Sequence, residues 1–434
     1  MLSLCVINVA AASSSNLATV ISSNEPPTLN VLAAKMVSPK ELGVGVSVTF
    51  PSTCPVNATR TITLSALING QAYTKDIPVT QYTTPGVEWG KTAGAQNQMF
   101  DINGNLLPTT PLRINLEEMG VPRFTDNVKI NLIATASYQG GLSSDRSSKD
   151  ITVLLPVVVI HGYSFDYQNI PFYHAIAYER AYKHLSDELK KQGYSNSERY
   201  GNSELLNYRT LWDPSDPVVQ YGDVRDITEG QMRQMMDNVL QEVHEHSYAN
   251  KTNLIGHSFG GLIARYYAAQ HPDKVNMVIT VGSPHMGTTV FYDEGLTKYH
   301  NVDSTLKQVP LNRVVYWTVP IYGNAVEYAN HTQAPSLFPN TLASVGKANG
   351  VKYYCIYSDL NKNTTQTLIV QNSIQDPGWY TIIGRQYGPG DGYIAAISAG
   401  TSQFGKPIRV SGEDHATLLN QCDTQSVIMD KLQH

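Results

Sequence analysis

From residue 28 to about 153, apolar and polar side chains alternate along the chain. Within Arg60–Ile68 the residues Ile62, Leu64, Ala66 and Ile68 share one face, with Thr61, Thr63 and Ser65 opposite. A period of two is the mark of a half-buried strand. Asn69-Gly70 then separates this run from 71–80, and Asn-Gly between alternating runs predicts a tight hairpin. Val128–Tyr138 alternates again, and Gly140-Gly141 turns it into 149–155. The stretch 83–111 is rich in Gly, Pro and Asn and shows no helical period. Short strands at this spacing predict an all-β, immunoglobulin-like sandwich over 28–153, without the Cys…Trp…Cys signature of a true immunoglobulin domain. No side chain there points to chemistry, so an accessory or spacer module is expected.

The pattern changes at Pro156. Val157-Val158-Val159-Ile160 is a continuous β-branched run, as in a strand buried on both faces of a parallel sheet. Helical stretches are predicted over 172–192 and 228–246, the second with Met232, Met235, Met236, Val239, Leu240 and Val243 at helical spacing. A strand over 252–255, a helix over 260–270 and a strand over Val275–Val281 follow. Alternating strands and helices argue a doubly wound, mostly parallel sheet over 154–434. The segment 289–350 shows no sheet signal. It carries Trp317, Tyr322, Tyr328 and Phe338 among Pro and Gly, and reads either as a lid or cap over the site or as a fixed surface excursion.

Composition narrows the function classes. The 434 residues are 41% apolar, enough for a sizeable core, but only 15% charged, with 26 tyrosines. A polar, uncharged surface of this kind suits an extracellular or cell-surface protein. The net charge is −5 and no basic stripe occurs, which argues against a nucleic-acid partner. The longest uncharged apolar stretch near the start, 2–12, is too short to span a bilayer. Residues 1–27 therefore read either as a residual export signal ending in Ala10-Ala11-Ala12 or as a tail. Four cysteines with no Cys-x-x-Cys pair exclude a zinc ribbon or dithiol redox site. Cys355 and Cys422 read either as one bridge or as two buried thiols. His244 and His246, two apart on a helix, face different sides and make no metal site, and no metal or cofactor is expected.

Chemistry concentrates at Gly256-His257-Ser258-Phe259-Gly260, a G-x-S-x-G between a predicted strand and a predicted helix. The chain must reverse at Ser258, so positions two before and two after crowd together and favour glycine. The hydroxyl then stands at the end of the sheet above a helix N-terminus. Serine needs a base and an oxyanion hole. Chain order in such folds is nucleophile, acid, base, which favours histidines after Ser258. His415, in a loop before a C-terminal helix, is the candidate base, ahead of His285, His300, His331 and His434. Asp391 lies between two glycines and is the candidate acid, with Asp359 at the end of strand 352–358 as competitor. The Phe259 and Tyr163 amides are the candidate oxyanion donors, the second directly after the strand ending in Ile160-His161-Gly162. The His161 ring itself reads as a core histidine.

The ordered set VVVIHGY, NLIGHSFGGLIARYY, VITVGSPHMGTT, VKYYCIYSD, GDGYI and SGEDHATLL resembles lipases and esterases of the α/β-hydrolase superfamily. It is most similar to the branch with bacterial secreted lipases and lecithin:cholesterol acyltransferase-like enzymes. The resemblance covers about 155–434 and implies Ser258, Asp391 and His415 as triad, with Tyr163 and Phe259 as oxyanion donors. Some of those lipases bind calcium through an Asp two residues after the histidine, and Thr417 stands there instead. The expectation is a serine hydrolase of carboxylic esters. The alternatives are an acyltransferase using the same triad, or a non-catalytic adhesion protein on a hydrolase scaffold.

Overall fold

The computed structural model describes residues 25–55, 57–79, 88–89, 112–162, 183–194, 208–210, 229–285, 289–292, 315–318, 345–360, 365–371, 379–385, 390–391, 394, 396–411, 414–415 and 417–433. Two antiparallel sheets form the front of the chain. One is built on β1 (Thr28–Ser38) and β2 (Glu41–Thr49), with β5 (Glu88–Trp89) and β6 (Leu112–Asn115) both pairing β2. The other has the order β4-β3-β7-β8, from β3 (Arg60–Ile68), β4 (Gln71–Pro78), β7 (Val128–Tyr138) and β8 (Ser147–Val153). The turn joining β3 to β4 has Asn69 at φ 50° and Gly70 at φ 84°, the two positive values that match the twist of a two-residue hairpin. The alternation is realised in packing. Ile62, Leu64, Ala66 and Ile68 of β3 and Ile130, Leu132 and Ala134 of β7 are buried with Leu42, Val44 and Val46 of β2 in one core between the sheets.

Behind them a six-stranded parallel sheet runs in the order β10-β9-β11-β12-β15-β18. Its strands are β9 (Val157–Ile160), β10 (Tyr208–Thr210), β11 (Thr252–His257), β12 (Val275–Val281), β15 (Lys352–Asp359) and β18 (Lys406–Ser411). Successive residues of β9 serve opposite layers, as strand geometry requires. Val158 and Ile160 pack with α2 (Glu229–Glu245) and α3 (Phe259–Gln270) through Met236, Val239, Leu240 and Leu262. Val157 and Val159 pack with α1 (Lys183–Lys191) and α5 (Cys422–Gln433) through Leu185, Leu189, Ile428 and Leu432. Helices on both faces explain why β9, β11 and β12 are buried along their whole length without alternation. Of the helix expected over 172–192, the part before residue 183 lies outside the described residues.

Two expectations are corrected. The segment 289–350, read as lacking strands, contributes β13 (Thr289–Tyr292) and β14 (Val315–Thr318) to a third antiparallel sheet of order β14-β13-β17-β16. Its other strands, β16 (Thr365–Gln371) and β17 (Trp379–Arg385), form a hairpin between β15 and Asp391. The two missed strands are only four residues each, and β13 finds its partner β17 far along the chain, so no local turn signal announces the pairing. The remainder of 289–350, with the cap it was read as, lies mostly outside the described residues. Cys355 is buried and Cys422 exposed, both as free thiols. That excludes the bridge and corrects the reading of Cys422 as buried, since it opens α5 on the solvent side.

The front sheets are not hung on a linker. Tyr248 and Ala249, in the turn between α2 and β11, are buried within the front core. Phe124 pairs with Ala249 in a strand-like bridge, donating its N–H to the Tyr248 carbonyl and accepting from Asn250 at 2.8 Å. The Tyr248 hydroxyl donates to the Val121 carbonyl at 2.6 Å, and its ring meets Phe124 edge-on at 5.5 Å. Asn127 clasps both sides, donating to the Leu432 carbonyl at 2.7 Å and accepting from the Leu155 amide at 2.9 Å. Arg123 donates to the His244 carbonyl at 3.0 Å.

This junction sets two expectations. Tyr248→Ala should cost roughly 3–5 kcal/mol, as for other buried aromatics, and Tyr248→Phe about 1 kcal/mol for one lost hydrogen bond; urea unfolding measures both. Burial, reinforced by the positive charges of Arg123 and Lys274, pushes the His244 pKa down to about 4. The folded protein therefore binds fewer protons than the unfolded chain between about pH 6.5 and that value. The contribution is complete above pH 6.5 and is lost as pH falls through the window. His244→Gln, which keeps a partner for Thr252, should lose about 1–2 kcal/mol less stability than the parent between pH 7 and pH 5.

Candidate active site

The site is built at the carboxyl ends of the parallel strands, where open α/β sheets place their crevices. β11 ends at His257 and α3 begins at Phe259, so Ser258 alone makes the reversal. It does so at φ 53° and ψ −125°, a backbone conformation that costs a non-glycine residue about 1–3 kcal/mol and persists only where the surroundings enforce it. Here the Ser258 N–H is held by the Val281 carbonyl of β12 at 2.9 Å. A side chain at Gly256 would strike the backbone of Gly260 and Gly261, and one at Gly260 would strike the Ile160 and His161 carbonyls. The crowding expected from the pentapeptide is thus present on both flanks. At the end of β9, a Cβ on Gly162 would stand 2.8 Å from the Ser258 Cβ.

The structure brings Ser258, His415 and Asp391 together. The His415 Nδ1 lies 2.7 Å from Asp391 Oδ2, and its Nε2 lies 2.9 Å from Ser258 Oγ. With Asp391 ionised, its carboxylate only accepts. The proton therefore sits on Nδ1, and the Nε2 lone pair receives the Ser258 O–H. Asp391 is 1% exposed and His415 13%, so this chain of bonds has little competition from water. The other Asp391 oxygen accepts the Ile394 amide at 2.7 Å, and the Asp391 carbonyl accepts the His415 N–H at 2.9 Å. Gly282, at φ +57°, runs beneath the pair. A Cβ there would stand 2.8 Å from Asp391 Oδ2 and 3.2 Å from His415 Nδ1.

Asp359 pairs with a cation of the adjacent strand. Its carboxylate faces Arg409 of the neighbouring strand at 3.3 Å. Asp391 nonetheless occupies the end of the same strand, because Leu360, directly after β15, donates its N–H to the Gly390 carbonyl at 2.9 Å. The hairpin β16–β17 is an excursion that leaves and returns at this point. His285 is also apart from the nucleophile. Its Nδ1 faces the fully buried Arg265 at 2.9 Å and its Nε2 faces Thr280 Oγ1 at 2.8 Å. Arginine only donates, so Nδ1 accepts and Nε2 carries the proton. Burial, then the Arg265 charge, holds His285 well below the usual histidine range and therefore neutral. The Arg265 guanidinium also lies 3.9 Å from the centre of the Phe404 ring.

The Phe259 amide opens α3, where helix geometry leaves N–H groups without intrahelical acceptors. Tyr163, His300, His331 and His434 lie outside the described residues. His161 is buried with its Nδ1 on the Gly162 carbonyl at 2.6 Å. Among the described residues, no three His, Cys, Asp or Glu side chains converge as metal ligands would, and no helix is long and apolar enough to cross a membrane. Two contributors escaped the sequence reading: Gly282, and His257, whose ring lies against that of His415. A hydroxyl aligned on a neutral imidazole backed by a carboxylate can attack an electrophilic carbon while passing its proton to the ring.

A family model described as alpha/beta hydrolase fold matches residues 193–309. Triacylglycerol lipases of Pseudarthrobacter phenanthrenivorans and Burkholderia plantarii are each 38% identical over 92 residues, 20% of this chain. The chain spans only about a quarter of the length of those relatives, 26% and 24%. Among solved structures, the mature Bacillus licheniformis lipase BlEst2 matches 64% of this chain and 92% of its own at 15% identity and a TM-score of 0.35. Est1E from Butyrivibrio proteoclasticus matches 64% and 86% at 10% identity and a TM-score of 0.30. Overlaps that loose carry no argument about chemistry.

Substitution separates the two carboxylates. Asp391→Asn presents an amide that can donate to Nδ1 and favours the wrong tautomer, so turnover of an ester substrate should fall by about 10⁴-fold. Asp359→Asn, which loosens the pair with Arg409, should leave turnover within a few-fold. Steady-state kinetics on the two variants decides between them.

Proposed function

We propose that this chain, an α/β hydrolase over its parallel-sheet part, cleaves carboxylic esters through a serine nucleophile. The observation that carries the proposal is the continuous line from Asp391 Oδ2 through His415 to Ser258 Oγ, at 2.7 and 2.9 Å. In this reading Ser258 Oγ attacks the ester carbonyl carbon as its proton passes to His415 Nε2. The carbonyl oxygen becomes an oxyanion held by the Phe259 and Tyr163 amides. Collapse breaks the bond to the leaving oxygen, which takes the proton from Nε2 and departs as an alcohol, leaving an acyl-enzyme. Water then gives a proton to Nε2 and attacks the acyl carbon; the bond to Ser258 Oγ breaks, Oγ takes the proton back from Nε2, and the acid departs. Asp391 keeps the ring in one tautomer and stabilises the imidazolium in both halves.

Lipases among the partial relatives support an ester of a fatty acid as the substrate class. The low charge and tyrosine-rich composition support a place outside the cell. The two front sheets fit an immunoglobulin-like accessory module that braces the catalytic part.

The test uses p-nitrophenyl esters of graded chain length and a serine-reactive phosphonate. The parent should release nitrophenol and gain the mass of one phosphonyl group on the peptide carrying Ser258. Ser258→Ala should fold, lose nearly all turnover and take no label. Retained turnover in that variant, or labelling elsewhere with equal loss of activity, overturns the assignment. Faster nitrophenol release on adding an alcohol, with the ester of that alcohol accumulating, would point instead to acyl transfer.

A further inference from the structure

The residue immediately before the nucleophile has a place that the reaction as described leaves unused. His257 is buried at the end of β11. Its Nε2 lies 2.9 Å from the backbone carbonyl of His415. The two imidazole rings lie 4.8 Å apart, centre to centre, with planes tilted by 34°. A carbonyl only accepts, so Nε2 carries the His257 proton and Nδ1 is the nitrogen without one. That nitrogen faces Gly162 at the end of β9, where an added Cβ would stand 3.4 Å from it. One side chain therefore spans from the strand end beside the oxyanion donors to the loop that carries the base.

The loop around His415 needs such a tie. It joins β18, an edge strand of the parallel sheet, to the 3-10 turn Leu418–Asn420. Its anchors among the described residues include the His415 N–H on the Asp391 carbonyl and the Asp414 carboxylate accepting from Thr417. The His415 ring also meets Ser258 Oγ, through the very bond that is remade as the proton moves. His257 ties the loop's backbone to the same place by a second route, and it is bonded in sequence to Ser258 itself, so a shift of the elbow carries the base along with it.

We infer that His257 is a positioning residue: by donating to the His415 carbonyl and covering one face of its ring, it fixes the base relative to Ser258 while the proton moves on and off Nε2. This rests on the reading of Ser258 and His415 as nucleophile and base. The chemistry of the side chain suits the task. A lysine or arginine here would repel the imidazolium that forms during turnover, and a carboxylate would compete with Asp391. Burial, with the neighbouring His415 ring, drives the His257 pKa down to about 3, so the ring stays neutral beside that imidazolium.

The experiment compares His257→Phe, which keeps an aromatic ring and loses the donor, with His257→Gln, whose side-chain amide can donate from nearly the same point. Initial rates on p-nitrophenyl butyrate, phosphonate labelling rates and melting midpoints are measured for parent, both variants and Ser258→Ala. His257→Phe should lower kcat and the labelling rate together by about 10–100-fold, the scale of a misplacement near 1 Å, with KM little changed. His257→Gln should recover most of that loss, even if its melting midpoint is no higher than that of the Phe variant. Should His257→Phe fail to fold, His257→Leu replaces it. A donor-less variant at the parent rate, or Gln and donor-less variants equally slow, overturns the positioning role. Turnover retained by Ser258→Ala overturns instead the reading on which it rests.

Discussion

The site depends on one reversal of the chain: a strand becomes a helix across a single residue that carries a side chain. Ser258 holds φ 53° because its neighbours leave it no alternative. The parallel order puts β9 on one side of β11 and β12 on the other. The ends of those strands close on the elbow through Gly162 and through the Val281 carbonyl. Gly282, the next residue after β12, then lets Asp391 and His415 settle against the backbone. Burial of the layers around the sheet offsets the strain, and the same packing that forces the turn aims the hydroxyl.

What the sequence makes legible follows from how local each feature is. The elbow is written within five residues, and the steric reason for its glycines follows from that pentapeptide alone. The hairpin at Asn69-Gly70 and the buried faces of β3 and β7 are local in the same sense. The choice between Asp391 and Asp359 is not, because the deciding contact is a backbone bond between Leu360 and Gly390 across an inserted hairpin. β13 and β14 were hidden because their register depends on a distant partner. The edge strand β18 has a proline and two basic residues and no apolar run. His257 occupied an unspecified position of a motif, and only the approach of His415 gives it meaning. Tyr163 lies outside the described residues, so its part rests on the sequence.

The junction between the front sheets and the parallel sheet changes how the front part is understood. A spacer needs only a linker, yet here Tyr248 enters the front core from the loop that leads into the strand before Ser258. Asn127 meanwhile reaches the end of α5. Folding of one part therefore orders the approach to the other, and the interface belongs to the stability of the parallel-sheet part as much as to its shape.

The excursion between β15 and Asp391 carries a consequence for how such a protein can diversify. Its two roots, Leu360 and Gly390, are joined by a hydrogen bond, so whatever lies between them hangs from a closed gate. Loop-closure entropy rises only slowly with length. Residues can then be gained, lost or exchanged in that interval at little cost to the placement of Asp391. Evolution, or an engineer, is left with a region where shape can be rewritten while Asp391, His415 and Ser258 stay in register.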